Sequence, residues 1–159
     1  MAIETEKKFL LAYLPSSLMT DGTSIIQGYM TASKNCFVRV RVFGDRGFLT
    51  VKGPTVNGAR KEFEYPVPIE DAREMLTLFC KNTTIEKTRF HIEHQGFRWE
   101  VDRFGGRNKG LIVAEIELAS IDQPFPQPEW IGKEVTHDPK YFNSNLVMRP
   151  YSLWPAEER

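Results

Sequence analysis

Apolar and polar side chains alternate with a period of two along most of this chain, the pattern of strands whose successive side chains point to opposite faces. It predicts eight strands, near Ile3 to Leu10, Ile25 to Thr31, Cys36 to Phe43, Gly47 to Lys52, Ala59 to Val67, Ile85 to Ile92, Phe97 to Arg103 and Leu111 to Leu118. Turn-forming runs separate several of them: Gly44-Asp45-Arg46-Gly47, Gly53-Pro54 with Asn57-Gly58, His94-Gln95-Gly96, and Gly105 to Gly110. Such short connections suit hairpins and mostly antiparallel neighbours. Helical spacing is sparse. After Pro68, the recurrence of Ala72, Met75, Leu76 and Phe79 predicts a helix from Ile69 to about Phe79, packed outside the sheet. A second, short helix is expected to begin at Thr136-His137-Asp138-Pro139, where a capping side chain precedes a proline. Pro124, Pro126 and Pro128 mark an extended connector between the last strand and that helix.

Length and charge narrow the reading. At 159 residues the chain fits one domain spanning 1–159, with a single site to find. Its 21 basic and 21 acidic residues cancel, which gives no case for nucleic-acid or membrane attraction through overall charge. Cys36 and Cys80 are too few for a disulfide scaffold or a zinc cluster. With no secretory leader pattern and no apolar run of spanning length, a reduced cytoplasmic protein is expected.

The informative feature is which residues share a face. Glu4, Glu6 and Lys8 lie on one side of the first strand, Arg39 and Arg41 on one side of the third, and Thr50 and Lys52 on one side of the fourth. Arg60, Glu62 and Glu64 share a face of the fifth, Lys87, Arg89 and His91 of the sixth, and Glu115 and Glu117 of the eighth. Each set opposes apolar neighbours. A solvated outer face would be the ordinary explanation for any one strand. Like charges at i and i+2 weaken it, because they repel unless something sits between them.

Eight antiparallel strands are enough to close a barrel, which removes edges and can enclose a cavity. The expected fold is therefore mainly β: a closed eight-stranded antiparallel barrel with a polar, charged interior and helices outside. A charged lining is too costly to bury dry. A polyanion with a divalent metal would satisfy both signs, since Arg and Lys neutralise phosphate oxygens while carboxylates hold Mg²⁺ or Mn²⁺.

Glu4-Thr5-Glu6-Lys7-Lys8 is an E-x-E-x-K signature, and the chain resembles the CYTH superfamily of triphosphate tunnel metalloenzymes, in its compact single-domain bacterial form. The resemblance extends through Gln27-Gly28-Tyr29, Val38-Arg39-Val40-Arg41, Leu49 to Gly53, Arg60 to Tyr65, Ile85 to Arg89, Ala114 to Leu118 and Gly132 to Thr136, in family order. It implies an eight-stranded tunnel that binds triphosphate and usually requires Mg²⁺ or Mn²⁺. By resemblance, Lys8, Arg39, Arg41, Lys52, Lys87 and Arg89 are phosphate ligands. Glu4, Glu6, Glu62, Glu115 and Glu117 form the acidic set for metal and water, with Glu64 as an outer member. Tyr29 matches a tyrosine of compact members that could orient or deprotonate the attacking water, and Lys8 and Lys87 compete with it for proton transfer.

His91, His94 and His137 are left out of the site, as are Trp99, Trp130 and Trp154, which read as packing residues. Asp102 and Glu100 share a face that reads equally well as solvated. Gly105-Gly106 lacks the Gly-Lys-Ser/Thr of a phosphate loop. The expected activity is hydrolysis of inorganic tripolyphosphate to diphosphate and phosphate. Its alternatives are adenylate cyclisation, hydrolysis of thiamine or nucleoside triphosphates, and a non-catalytic polyphosphate-binding module. The expected partner is a small-molecule triphosphate, without nucleic acid or membrane, and a homodimer stays open.

Overall fold

A computed structural model describes residues 2–32, 35–56 and 60–159, excluding the side chains of residues 2–4 and 32. Within them lie ten strands: β1 (Ala2–Glu4), β2 (Glu6–Leu11), β3 (Thr23–Ala32), β4 (Phe37–Phe43), β5 (Arg46–Lys52), β6 (Arg60–Val67), β7 (Thr84–His94), β8 (Phe97–Phe104), β9 (Ile112–Glu117) and β10 (Ile131–Glu134). The two α-helices are α1 (Ile69–Phe79) and α2 (Asn143–Met148). All strands form one sheet in the order β1-β6-β5-β4-β3-β7-β8-β9-β2-β10, every pairing antiparallel.

The sheet order explains how eight expected strands become ten. The first expected strand is divided at Thr5: β1 pairs with β6, whereas β2 pairs with β9. The two ends of an eight-stranded ring thus meet on one continuous stretch of chain, and the backbone across Thr5 closes the ring where no ladder does. The Thr5 carbonyl accepts from the Leu118 amide at 2.9 Å, holding this break against the end of β9. The tenth strand, β10, is an addition that period-two alternation did not reveal. It lies along the second edge of β2.

Turn chemistry agrees with the hairpins. The β7–β8 loop has positive φ at both Gln95 (48°) and Gly96 (83°), as a type I′ turn requires. In the β4–β5 loop Gly44 alone has positive φ (59°), the type II′ pattern. The expected turn at Asn57-Gly58, and Ala59 of the fifth expected strand, lie outside the described residues.

Among the described residues three apolar clusters hold the sheet. Helix α1 lies outside it as expected, burying Ala72 and Leu76 against Val40 and Val42. A second outer cluster joins Phe9, Phe90, Trp99, Val101, Ala114 and Ile116, covered by Phe125 and Trp130 of the proline-rich connector. The third cluster belongs to the other side of the sheet. Ile85 has the parity of Lys87, Phe104 stands opposite Lys87, and Val113 stands opposite Asp102 and Leu10. These interior positions pack with Tyr141, Leu146, Val147 and Trp154. One end of the barrel is therefore filled by the C-terminal segment, and α2 sits against the interior instead of outside.

The second expected helix is replaced by a 3-10 turn at Pro139–Tyr141 followed by α2. Asp138 caps the turn by accepting from the Lys140 amide at 3.2 Å. Thr136 serves β2 instead, its Oγ1 accepting from the Lys8 amide at 3.0 Å. No helix among the described residues is long and apolar enough to cross a membrane.

Gly28 shows how closely α1 approaches the sheet. A Cβ added there would lie 2.4 Å from Cys80 Cβ. Gly28→Ala is expected to cost about 1–3 kcal/mol through overpacking and to lower the thermal midpoint by several degrees. A melting curve that does not move would contradict this packing.

Candidate active site

Residues directly opposed in an antiparallel ladder share a face of the sheet. Lys8 stands opposite Glu115, which stands opposite Glu100, and Arg89 stands opposite Asp102. Arg39 stands opposite Thr50 and Tyr29, Thr50 opposite Glu64, and Lys52 opposite Glu62. The charged faces thus turn inward together, around a cavity of about 490 Å³. All six expected cations, Lys8, Arg39, Arg41, Lys52, Lys87 and Arg89, line it. So do Tyr29, Glu6, Glu62, Glu115 and Glu117, with Glu64 joining them. Glu4 is placed by its backbone opposite Arg60 in β1, and its side chain lies outside the described residues.

One wall is a compensated ion network. Lys8 Nζ lies 2.9 Å from Glu115 and donates to the Tyr141 carbonyl at 3.3 Å. Arg89 grips Asp102 with two hydrogen bonds, Nε to Oδ1 at 2.7 Å and Nη2 to Oδ2 at 2.8 Å, and also contacts Glu100 and Glu115. Lys87 donates to Asp102 as well. Burial pushes the Glu115 carboxyl up, but Lys8, Lys87 and Arg89 outweigh it and hold it far below the carboxylate range. Asp102 is likewise held down by Lys87 and Arg89 against its own burial.

Among the expected proton carriers, burial lowers Lys8, yet Glu115 and Glu6 together more than restore it, so its ammonium is stabilised. Lys87 moves the other way, because burial and the neighbouring Arg89 exceed what Asp102 returns. Burial also raises the Tyr29 phenol, with Arg39 and Lys8 offsetting it only in part. Tyr29 is thus held as a neutral hydroxyl, accepting from Gln27 Nε2 at 3.2 Å.

The facing wall is short of negative charge. Arg39 and Arg41 both reach Glu64 Oε2, at 3.5 and 2.9 Å, and Arg39 also donates to Thr50 Oγ1 at 3.2 Å. Both guanidiniums nonetheless keep a buried Nε with no hydrogen-bond partner among the described residues. Burial, followed by repulsion from Arg39, lowers Arg41 to about 10. Lys52 lies 2.7 Å from Glu62 Oε2, a charge contact without hydrogen-bond alignment.

Alternation alone suits Asp102 and Glu100 equally well to a solvated face, but Asp102 is 1% exposed and central to the network. Only its register opposite Arg89 distinguishes the two readings. Arg60 also lines the cavity, as do Thr136, His137, Phe142, Asn143 and Ser144 of the C-terminal segment. From the sequence alone His137 is expected only at a helix start. His91 is exposed and lies 3.4 Å from Glu100, consistent with leaving it out.

The acidic side chains would suit a divalent cation held by few protein ligands better than a cage made by protein alone. Glu6 and Glu117 stand directly opposite one another on the interior face, an arrangement of like charges that a bound cation would favour. No three carboxylate, histidine or cysteine side chains among the described residues converge into a ready metal cage. Mg²⁺ commonly uses one or two carboxylates, completing its shell with water and phosphate oxygens.

Comparison with known proteins agrees with this geometry. The CYTH domain profile matches residues 2–151. An inorganic triphosphatase of Acetivibrio thermocellus is 47% identical over 151 residues, covering 95% of this chain and 97% of its own. Another, from Nitrosomonas europaea, is 33% identical, covering 91% and 97%. A solved structure of an inorganic triphosphatase superposes with a TM-score of 0.67 at 32% identity, over 91% of this chain and 97% of its own. At 17% identity, a Bacillus halodurans structure shares the fold alone, with a TM-score of 0.58 over 77% and 84%. By the match over nearly its whole length and by these relatives, the chain belongs to the CYTH domain family.

Proposed function

We propose that this protein hydrolyses inorganic tripolyphosphate to diphosphate and phosphate in the charged chamber, with Mg²⁺ or Mn²⁺ as cofactor. The observation that carries the reading is the pair Arg39 and Arg41, half-buried, each with a buried Nε donor unpaired among the described residues, facing a wall of cations and carboxylates. A triphosphate supplies the acceptors those donors lack and the negative charge that relieves their repulsion. The names of the relatives support tripolyphosphate over organic triphosphates. Residues 1–159 then act as one domain in a cytoplasmic setting.

Phosphoryl transfer asks mainly for positioning and charge stabilisation. Arg39, Arg41 and Lys52 hold the substrate from one side, and Lys8, Lys87 and Arg89 from the other. When bound, the divalent cation neutralises charge on the phosphate oxygens, and Glu6 and Glu117 would hold it, with Glu4, Glu62 and Glu115 as further acidic ligands. A water attacks the terminal phosphorus, the bridging P–O bond breaks, and diphosphate leaves. Tyr29, kept neutral, is suited to orient that water and not to deprotonate it. Lys87, whose ammonium is weakened by burial, is the better proton carrier of the two lysines.

The decisive assay is phosphate release from tripolyphosphate, ATP and thiamine triphosphate, together with cyclic AMP formation, with metal omitted and then restored. Metal-dependent release that favours tripolyphosphate is expected. Tight tripolyphosphate binding without release under either metal would favour a binding module instead. Arg39→Ala is expected to raise KM for tripolyphosphate about 10- to 100-fold, the range of a lost charge-assisted hydrogen bond. An unchanged KM would remove Arg39 from the substrate contacts. Glu117→Gln is expected to raise the Mg²⁺ concentration for half-maximal activity on the order of tenfold. A metal titration superimposable on wild type would take Glu117 out of the metal site.

A further inference from the structure

The inner end of the chamber is built by the C-terminal segment and not by a strand. Lys8 Nζ donates to the Tyr141 carbonyl, so this segment passes beside one of the central cations. Beneath it, Tyr141, Leu146, Val147 and Trp154 pack on Ile85, Phe104 and Val113, which fixes the segment as a floor. Asn143 and Ser144 present themselves to the cavity from this floor. Asn143 Oδ1 is buried and has no hydrogen-bond partner among the described residues. Buried polar atoms in native proteins are nearly always paired, so an orphan on a cavity wall calls for a partner from outside the fold.

We infer that Asn143 is a substrate-positioning residue whose carboxamide donates to the innermost, unsubstituted phosphate of a bound triphosphate. The inference rests on the triphosphatase reading above and names the group that recognises one end of the substrate. A half-turn of the carboxamide exchanges its oxygen and nitrogen, placing two N–H donors where the orphan oxygen lies. An ionised phosphate offers only acceptors, so binding selects that orientation. Asn143 adds direction without adding charge, in a chamber whose cations supply attraction from the walls. Because the floor is closed by packed apolar side chains, the substrate end that reaches it carries no organic group, and any such group lies at the opposite end.

The test compares steady-state kinetics, calorimetric binding of tripolyphosphate and thermal midpoints for wild type, Asn143→Ala and Asn143→Asp. Asn143→Ala is expected to raise KM about tenfold while kcat stays within about a factor of two, the pattern of a lost binding contact. Asn143→Asp preserves shape but faces the phosphate with a carboxylate, so its KM and dissociation constant should exceed those of Asn143→Ala, with a thermal midpoint like wild type. An unchanged KM in Asn143→Ala overturns the assignment. So does Asn143→Asp binding at least as well as Asn143→Ala, which would mean that the oxygen accepts from a water. Should wild type release no phosphate, the triphosphatase reading fails, while calorimetric binding to wild type and Asn143→Asp still decides the role of Asn143.

Discussion

Lys8, Lys87, Arg89, Asp102 and Glu115 are each at most 9% exposed, and the burial of so much charge constrains the rest of the molecule. An ion removed from water without a partner costs several kcal/mol. Here Glu115 lies between Lys8 and Arg89, and Asp102 between Lys87 and Arg89, so each carboxylate offsets two cations. The arrangement requires β2, β7, β8 and β9 in one register, because a slip of one residue would turn each charge to the opposite face. Phe9, Phe90, Trp99, Val101, Ala114 and Ile116 on the reverse of the same strands penalise that slip by burying apolar surface. The inner ion network and the outer core are two consequences of a single pleat.

The wall carrying Arg39 and Arg41 is organised differently. Two guanidiniums converge on one carboxylate, Glu64, and Thr50 fixes that carboxylate by donating to it at 2.9 Å. Their mutual repulsion is held in place by β4 and β5, whose apolar reverse face is clamped by α1 through Val40, Val42, Ala72 and Leu76. Donors fixed before substrate arrives need little reorganisation on binding, which is how preorganised electrostatics becomes useful in catalysis. A helix on the outside and an incomplete ion pairing on the inside are therefore linked.

Much of this was legible in the sequence because period-two alternation survives folding unchanged. The inward cations followed from parity together with like charges two residues apart, and α1 followed from Ala72, Met75, Leu76 and Phe79. What escaped had no periodic signature. Asp102 alternates equally well on a wet face, and only pairing with Arg89 identifies it. The four residues of β10 are too few to show alternation, and α2 is too short for a helical stripe. Tyr141, Leu146, Val147 and Trp154 are scattered through 3-10 turns and α2, so nothing local shows that they fill the barrel end. Phe125 sits between prolines that read as a connector, yet it packs edge-to-face on Trp99 at 5.8 Å.

The division at Thr5 gives the E-x-E-x-K spacing its physical sense. Glu4 lies on the stretch paired with β6, opposite Arg60, whereas Glu6 and Lys8 lie on the stretch paired with β9, opposite Glu117 and Glu115. A single strand therefore meets both ends of the sheet, and its alternate residues serve whichever wall the local ladder supplies. Lys8 takes Glu115 as its close partner because the ladder sets them across from each other. The same register sets Glu6 against another carboxylate, Glu117, across the ladder at the proposed metal site. Ring closure and the acidic set proposed to hold metal thus draw on the same residues, because the strand that completes the barrel also brings the charges of its two ends together.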